Sequence, residues 1–344
     1  MRKKGLLVLI GSLCLALVLT ALPFMAGCAA PAPAPAPAPE TVYRIGECVI
    51  IEHPDLEADQ SGFHQVVDSW AAAKGVKVEY TFQCAEGDMS LAKTIADRFV
   101  SEKVDLIHAI TTPNAQACVG AAEGTDIPVI FSTCTAPAVA GIVTTWDAPR
   151  PDANVTGVSD MAAMKPQLEM IKEICPDAKA VGVIYNAGEP NSVVQVGQMK
   201  DLMAEVGIEQ IVEANCSTTA EVGTAANSLI GRCDVIYIPT DNTAVSGLEA
   251  IIAVAEENKI PFFGSTGDMV DRGCVAGQGA DYYWIGQEAG RYATRILEGE
   301  SPGDIPVVMC AAEACKLVVN PGAAQRMGIT IPQSIIDKAD RVVE

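Results

Sequence analysis

The stretch KAVGVIYNAGEPNS, Lys179 to Ser192, sets the terms for the whole chain. Val181-Gly182-Val183-Ile184 is a nearly continuous apolar run of strand length, as expected when a strand is covered on both faces of a sheet. A short polar loop follows, Asn186-Ala187-Gly188-Glu189, and a helix-length segment then runs from Asn191 to Val206. The same rhythm extends in both directions. Upstream it reads Arg44–Glu52, Leu56–Lys74, Val76–Gln83, Ser90–Lys103, Asp105–Ile110, Asn114–Glu123 and Pro128–Ser132, strand and helix in turn. After the Gly/Pro-rich stretch Ala136–Gly157 comes the helix Met164–Cys175. Downstream of Val206 lie Ile208–Ala214, Ala220–Arg232, Asp234–Ile238, Ala244–Asn258 and Pro261–Gly264. Strands alternating with helices imply parallel sheets with right-handed crossovers, an α/β fold in two halves.

Ligands of such sheets bind beyond the carboxyl ends of the strands. Glu52-His53-Pro54, Thr111-Thr112-Pro113-Asn114 and Ser132-Thr133 follow strands of the first half. In the second half the corresponding segments are Asn186 to Ser192, Pro239-Thr240-Asp241-Asn242 and Gly264-Ser265-Thr266-Gly267-Asp268. Several of these lead into helix N-termini, whose free N–H groups suit a carboxylate or phosphate. The same residue types are the common N-caps, so each position is open to a capping role, a binding role, or both.

The N-terminus reads as an export signal. Arg2, Lys3 and Lys4 precede the uncharged run Leu6–Leu22, and Met25-Ala26-Gly27-Cys28 resembles the lipobox of bacterial lipoproteins, with Met where Leu is usual. That resemblance implies a signal peptide over 1–27 and a lipid-bearing Cys28, with several acyl chains replacing any spanning helix. Residues 28–41 include a Pro/Ala tract. Its alternating prolines favour polyproline II, a semi-rigid stalk of roughly 28 Å over Pro31–Pro39. Removal of 1–27 takes away three basic residues and no acidic ones, which moves the formal charge from −20 to −23. An acidic body without any basic run repels nucleic acid and anionic lipid.

Ten cysteines remain beyond Cys14 and Cys28, scattered and mostly in apolar contexts, with no CxxC and no Cys/His spacing for a metal. Cys310 and Cys315 flank a four-residue loop between two β-like runs, a spacing that permits a hairpin disulfide.

The ordered set IEHP (51–54), EGDMSLAKTIADRFV (86–100), TTPNAQA (111–117), NVTGVSDM (154–161), KAVGVIYNAGEPNS, IYIPTDNT (236–243) and VVNPGAAQRMGITIP (318–332) resembles the tryptophan/tyrosine-type substrate-binding lipoproteins of ABC transporters. The resemblance runs from Val42 to the C-terminus. It implies a periplasmic binding protein type I fold: two doubly wound parallel-sheet lobes joined by a three-crossover hinge. The crossovers are expected near Val158, Val275 and Met309, giving an N-terminal lobe of 42–157 plus 276–308 and a C-terminal lobe of 158–275 plus 309–344. Asp281-Tyr282 is expected to open the helix that returns to the first lobe. Implied partners are a small-molecule ligand and the ABC permease and ATPase, for a monomer held to the outer face of the bacterial membrane by lipid alone. One departure stands out: relatives commonly read Thr-Asp-Pro where this chain has Thr135-Ala136-Pro137.

A zwitterionic ligand needs donors for its carboxylate and an acceptor for its ammonium. Thr111, Thr112, Ser132 and Thr133 are the candidates for the carboxylate, and Asp241 or Glu189 for the ammonium. His53 is a ring-hydroxyl partner or a cap; Glu52, Asn186, Asn191, Ser192, Thr240, Asn242 and Asp268 complete the candidate ligand-binding set. Glu52 beside His53 is compatible with acid/base chemistry, yet no nucleophile elbow is present, so the expectation is a binding protein without cofactor or metal and not an enzyme. Another amino acid, a nucleoside or a sugar as ligand, and a role as an extracellular ligand sensor, are the alternatives.

Overall fold

The computed structural model describes residues 41–150, 154–310 and 315–344. The signal peptide, Cys28 and the Pro/Ala tract lie outside the described residues.

The first lobe is built on a six-stranded parallel sheet of order β11-β5-β4-β3-β1-β2. Its strands are β1 (Val42–Val49), β2 (Lys77–Cys84), β3 (Leu106–Ile110), β4 (Val129–Ser132), β5 (Val155–Ser159) and the late β11 (Val308–Met309). Helices α1 (Pro54–Lys74), α2 (Met89–Glu102) and α3 (Thr112–Ala122) make the connections. The strands β3 and β4 are buried at every position, His108 and Ser132 included, as in a sheet covered on both faces.

The second lobe repeats the plan. Its sheet, β13-β12-β10-β9-β8-β6-β7, contains β6 (Ala180–Tyr185), β7 (Gln210–Asn215), β8 (Val235–Tyr237), β9 (Phe262–Gly264), β10 (Ala276–Ala280), β12 (Cys315–Val319) and β13 (Arg341–Val342). Its helices include α4 (Met164–Ile174), α5 (Pro190–Leu202), α6 (Val222–Ser228), α7 (Asn242–Ser246), α8 (Leu248–Asn258) and α9 (Gly267–Arg272). Both halves share the doubly wound order 2-1-3-4-5, so each has a switch point between its first and third strands. The single helix expected over Ala244–Asn258 is two helices, divided at Gly247, where a Cβ would stand 2.8 Å from Val222.

Helix α10 (Tyr282–Leu297) returns to the first lobe and lies against α1. The approach is so close that a Cβ on Gly286 would stand 1.8 Å from the Asp59 carbonyl oxygen, and one on Gly62 2.1 Å from that of Tyr283. Only glycine fits at such a crossing.

Strand pairing corrects two expectations. β10 pairs with β9 and with β12, so 276–280 belongs to the second sheet and that crossover falls at Asp281 rather than near Val275. β5 runs through Ser159 within the first sheet, which moves the first crossover beyond 158. Cys310 and Cys315 are not the two sides of a hairpin. β11 pairs with β5 in the first sheet and β12 with β10 in the second, so the cysteines bracket the third crossover, their sulfurs 3.6 Å apart. A disulfide bond needs about 2.05 Å.

Candidate functional site

The strand ends of the two lobes meet around a narrow cavity with about 10 Å³ of free room, enough for at most a single water. Direct hydrogen bonds hold the lobes together across it. Thr135 Oγ1 lies 3.2 Å from Thr240 Oγ1, and Thr266 Oγ1 donates to Asp55 Oδ2 at 3.1 Å. Nothing larger than a water enters until these contacts part.

The first lobe contributes strained and unsatisfied groups. His53 is the N-cap of α1 and Thr111 of α3, and neither side chain caps its helix. Thr111 has φ 85° and Thr133 φ 48°, left-handed backbone in which a β-branched residue is an outlier costing about 1–3 kcal/mol. Both hydroxyls, both His53 ring nitrogens and Asp160 Oδ1 are buried without a hydrogen-bond partner, and these four residues line the cavity together with Asp55. Unpartnered buried polar atoms are rare in folded proteins. Together with two helix N-termini lacking side-chain caps, they describe a surface shaped for something else to complete it.

Beneath this surface the first lobe carries a chain of side-chain hydrogen bonds. His108 Nε2 lies 2.8 Å from Ser132 Oγ and Nδ1 3.1 Å from Glu47 Oε1, while His64 Nε2 lies 2.7 Å from Glu47 Oε2. Phe63 stacks on His108 at 3.9 Å. The order Ser132–His108–Glu47 has the hydrogen bonds of a Ser–His–acid triad. However, Ser132 is 0% exposed and its hydroxyl donates to Asp59 at 2.9 Å, so it braces the end of β4 instead of facing the cavity.

The second lobe closes its strand ends on itself. Glu189 accepts five hydrogen bonds: from the backbone N–H and the side chain of both Asn242 and Thr243, and from Asn191 Nδ2. Asp241 accepts from Ala244 N at 2.7 Å, capping α7, and from Asn186 N and Ser192 Oγ, both at 2.6 Å. Both candidate ammonium acceptors therefore have their oxygens occupied. Asn191 Oδ1, at the cavity wall, and Gln195 Nε2 are the exceptions among the described residues of this lobe, both buried and unpartnered.

Of the sequence-derived candidates, His53, Thr111, Thr133, Asn191, Thr240, Asp241 and Asn242 line the cavity. The others do not. Glu52 is exposed on an outer groove beside Phe82, Asp268 lies in a neighbouring pocket with Tyr283, and Asn186 and Glu189 border a third groove near Met89. Thr112 donates to Cys134 Sγ, and Ser192 to Asp241. Strand-end reasoning missed Asp55, Leu56, Thr135, Asp160, Val245, Met269 and Tyr282. Asp160 carried the right signal, since it follows β5 directly, but there the chain was read as a crossover. Asp55 sits in the acidic first turn of a helix, a position that ordinary dipole pairing explains equally well.

Burial governs the charges. It pushes the carboxyls of Asp55, Asp59 and Asp160 upward, and with the nearby Glu189 charge lifts Asp241 to about 8. It lowers His53 to about 3, which leaves a neutral ring at physiological pH. A cavity so arranged favours a cationic group against its carboxyls and an anionic one at the N-termini of α1 and α3. Among the described residues no group of three or more His, Cys, Asp or Glu is placed to hold a metal ion, and no helix is long and apolar enough to cross a membrane.

The family model of ABC transporter substrate binding proteins matches residues 44–343. A tyrosine-binding protein of Clostridioides difficile is 40% identical over 276 residues, covering 80% of this chain and 78% of that one. A Streptococcus pneumoniae ABC domain solved in complex with L-Trp superposes with a TM-score of 0.82 at 31% identity, over 88% of this chain and 100% of that chain. The ligand-free, open structure of a Clostridium difficile substrate binding protein with adhesive properties reaches only 0.64 at 35% identity, over 88% and 99%. The poorer fit goes with the higher identity, so it reflects geometry rather than sequence divergence. The bonded, nearly filled cavity agrees with the lobes being closed.

Proposed function

This chain belongs to the substrate-binding proteins of ABC transporters, and from that premise we propose that it captures an aromatic amino acid between its lobes and presents it to a membrane permease. Proteins of this family act outside the cytoplasmic membrane. The observation that carries the ligand class is the polarity of the cavity. The N-termini of α1 and α3, with the Thr111 and Thr133 hydroxyls, suit a carboxylate. The buried carboxyls of the cavity suit an ammonium, and Leu56, Val245, Met269 and Tyr282 offer apolar surface to a ring. The tyrosine-binding relative and the L-Trp complex support the same class.

Binding requires opening, entry and reclosure, because about 10 Å³ admits no amino acid. The ligand then replaces strained, unpartnered contacts with bonded ones, which favours the closed form. Calorimetric titration of the purified protein with L-tryptophan, L-tyrosine and L-phenylalanine tests this. At 100 times its Kd, a ligand adds about 2.7 kcal/mol to native stability, a clear rise in Tm. No heat and no Tm shift with all three, alongside a shift with another solute, overturns the aromatic assignment.

Attachment through lipid on Cys28 and delivery to a permease and ATPase belong to the same proposal, motivated by Met25–Cys28 and the family. Incorporation of labelled palmitate should vanish in Cys28→Ser; continued labelling refutes the anchor.

A further inference from the structure

Cys310 and Cys315 stand where the two lobes are stitched together. Cys310 follows β11 directly, and its backbone N–H donates at 3.0 Å to the carbonyl of Ser159, the last residue of β5. That is where the chain first leaves the first lobe. Cys315 opens β12 and is paired across the sheet with Ala280, the last residue of β10 before the chain returns at Asp281. One sulfur therefore belongs to the first lobe's end of the hinge and the other to the second lobe's end. They lie 3.6 Å apart, within hydrogen-bonding range for sulfur.

The two thiols are not alike. Cys310 is buried, whereas Cys315 is half-exposed and open to a reagent. The hydrogen bond between them pulls the Cys315 thiol below its usual range, against burial and with help from the Lys316 charge, and pushes that of Cys310 up. An accessible thiol shifted toward thiolate, beside a second thiol, is the arrangement of a nucleophile with its resolving partner. Cys48 and Cys118 also approach closely, at 3.3 Å, but both are buried inside the first lobe and span no crossover.

We propose that Cys310 and Cys315 form a reversible dithiol–disulfide clamp on the hinge, whose disulfide ties the end of β11 to the start of β12 and slows opening of the lobes. The oxidant is a disulfide, of low molecular weight or carried by a protein, of the kind met outside the cytoplasmic membrane. The Cys315 thiolate attacks one sulfur of that disulfide and expels one thiolate, leaving a mixed disulfide on Cys315. The Cys310 sulfur, on losing its proton, then attacks Cys315 Sγ and expels the second thiolate. Two protein thiols lose two electrons and two protons, and the oxidant leaves as two thiols. The sulfurs close from 3.6 Å to about 2.05 Å in this step. Rotation of one lobe against the other moves β11 relative to β12, so the bond forms from the closed arrangement and opposes departure from it.

The test treats the purified protein, without ligand, with oxidised glutathione and then maps its peptides without reduction. Cys310 and Cys315 should be linked, and dithiothreitol should restore both thiols. Hydrogen exchange followed by mass spectrometry reads the opening itself. The cleft segments around His53, Thr133 and Thr240 should exchange at least about threefold more slowly in the oxidised protein than in the reduced one. Cys315→Ser retains the Cys48–Cys118 pair and should show no response to the oxidant; Cys315→Ala serves if the Ser variant does not fold. Both thiols still open to alkylation after oxidation overturn the proposal. So does a Cys310–Cys315 disulfide that leaves exchange at the cleft unchanged, or an equal slowing in the Cys315 variant. No ligand enters the test, so its result is independent of the aromatic assignment.

Discussion

The two lobes share a topology and use their strand ends in opposite ways. In the first lobe the residues after β1 and β3 leave helix N-termini without side-chain caps and hydroxyls without partners, on backbone that threonine ordinarily avoids. In the second, the equivalent loops after β6 and β8 are welded together by Glu189 and Asp241. Identical architecture therefore does not mean equivalent work. The first lobe presents unmet bonding capacity to the cavity, and the second supplies a rigid, self-satisfied wall. Strain and orphaned polar atoms at the first lobe's rim are what a ligand relieves; their absence at most of the second lobe's loops keeps that wall shaped whether or not anything is bound.

The contrast can be broken by mutation. Glu189→Ala should have the largest effect on stability. It removes five hydrogen bonds and leaves the buried Asn242 N–H without its acceptor, for a loss of about 3–5 kcal/mol in denaturant unfolding. A loss below about 1 kcal/mol would show that the second lobe's loops are not held by this network.

A second test sharpens where the first lobe does satisfy its charges, one layer beneath the rim. Burial by itself would raise Glu47, but hydrogen bonds from His108 and His64 outweigh it and bring the carboxyl down to about 2. A carboxylate depressed in the folded state stabilises fully above its ordinary value of 4.5, and the contribution disappears as pH falls from there toward about 2. The stability advantage of wild type over Glu47→Gln should therefore shrink by about 2 kcal/mol between pH 6 and pH 3. A constant difference across that range means the ion pairs contribute nothing.

The smallest expected effect has the opposite sign. Thr111→Gly removes the strain of φ 85° at some cost in unfolded-chain entropy, so the unliganded protein should gain about 1 kcal/mol. Affinity should fall, because the unpartnered hydroxyl is gone. A variant that is both less stable and equally tight would show that Thr111 is structural, and the contrast between the lobes would lose its main support.

Much of this is legible in the sequence. The apolar run Val181–Ile184 and its counterparts could only be covered strands, and the polar residues behind them had to gather at one end of each sheet. Local sequence says which residue types stand at a strand end. It does not say which way a hydroxyl or carboxylate turns once its neighbours compete for it. Thr111 and Thr112 are adjacent and alike, yet one lines the cavity unpartnered while the other donates to Cys134. Asp241 and Asp160 both follow strands, yet three donors occupy both oxygens of the first while one oxygen of the second stays unpartnered.

The sequence by itself therefore determined the α/β class, the two-lobed plan and the strand ends as the place to look, because hydrophobic periodicity and helix starts are local properties of the chain. Tertiary structure decided the rest. Whether β10 belongs to one sheet or the other depends on pairing with β9 and β12, segments on either side of it in sequence. Whether Cys310 and Cys315 form a hairpin or bracket a hinge depends on the same choice of partner. Which carboxylate remains able to bind depends on donors from residues as distant as Tyr282 from Asp160, and hydrogen bonds across such separations are set only when the lobes are assembled.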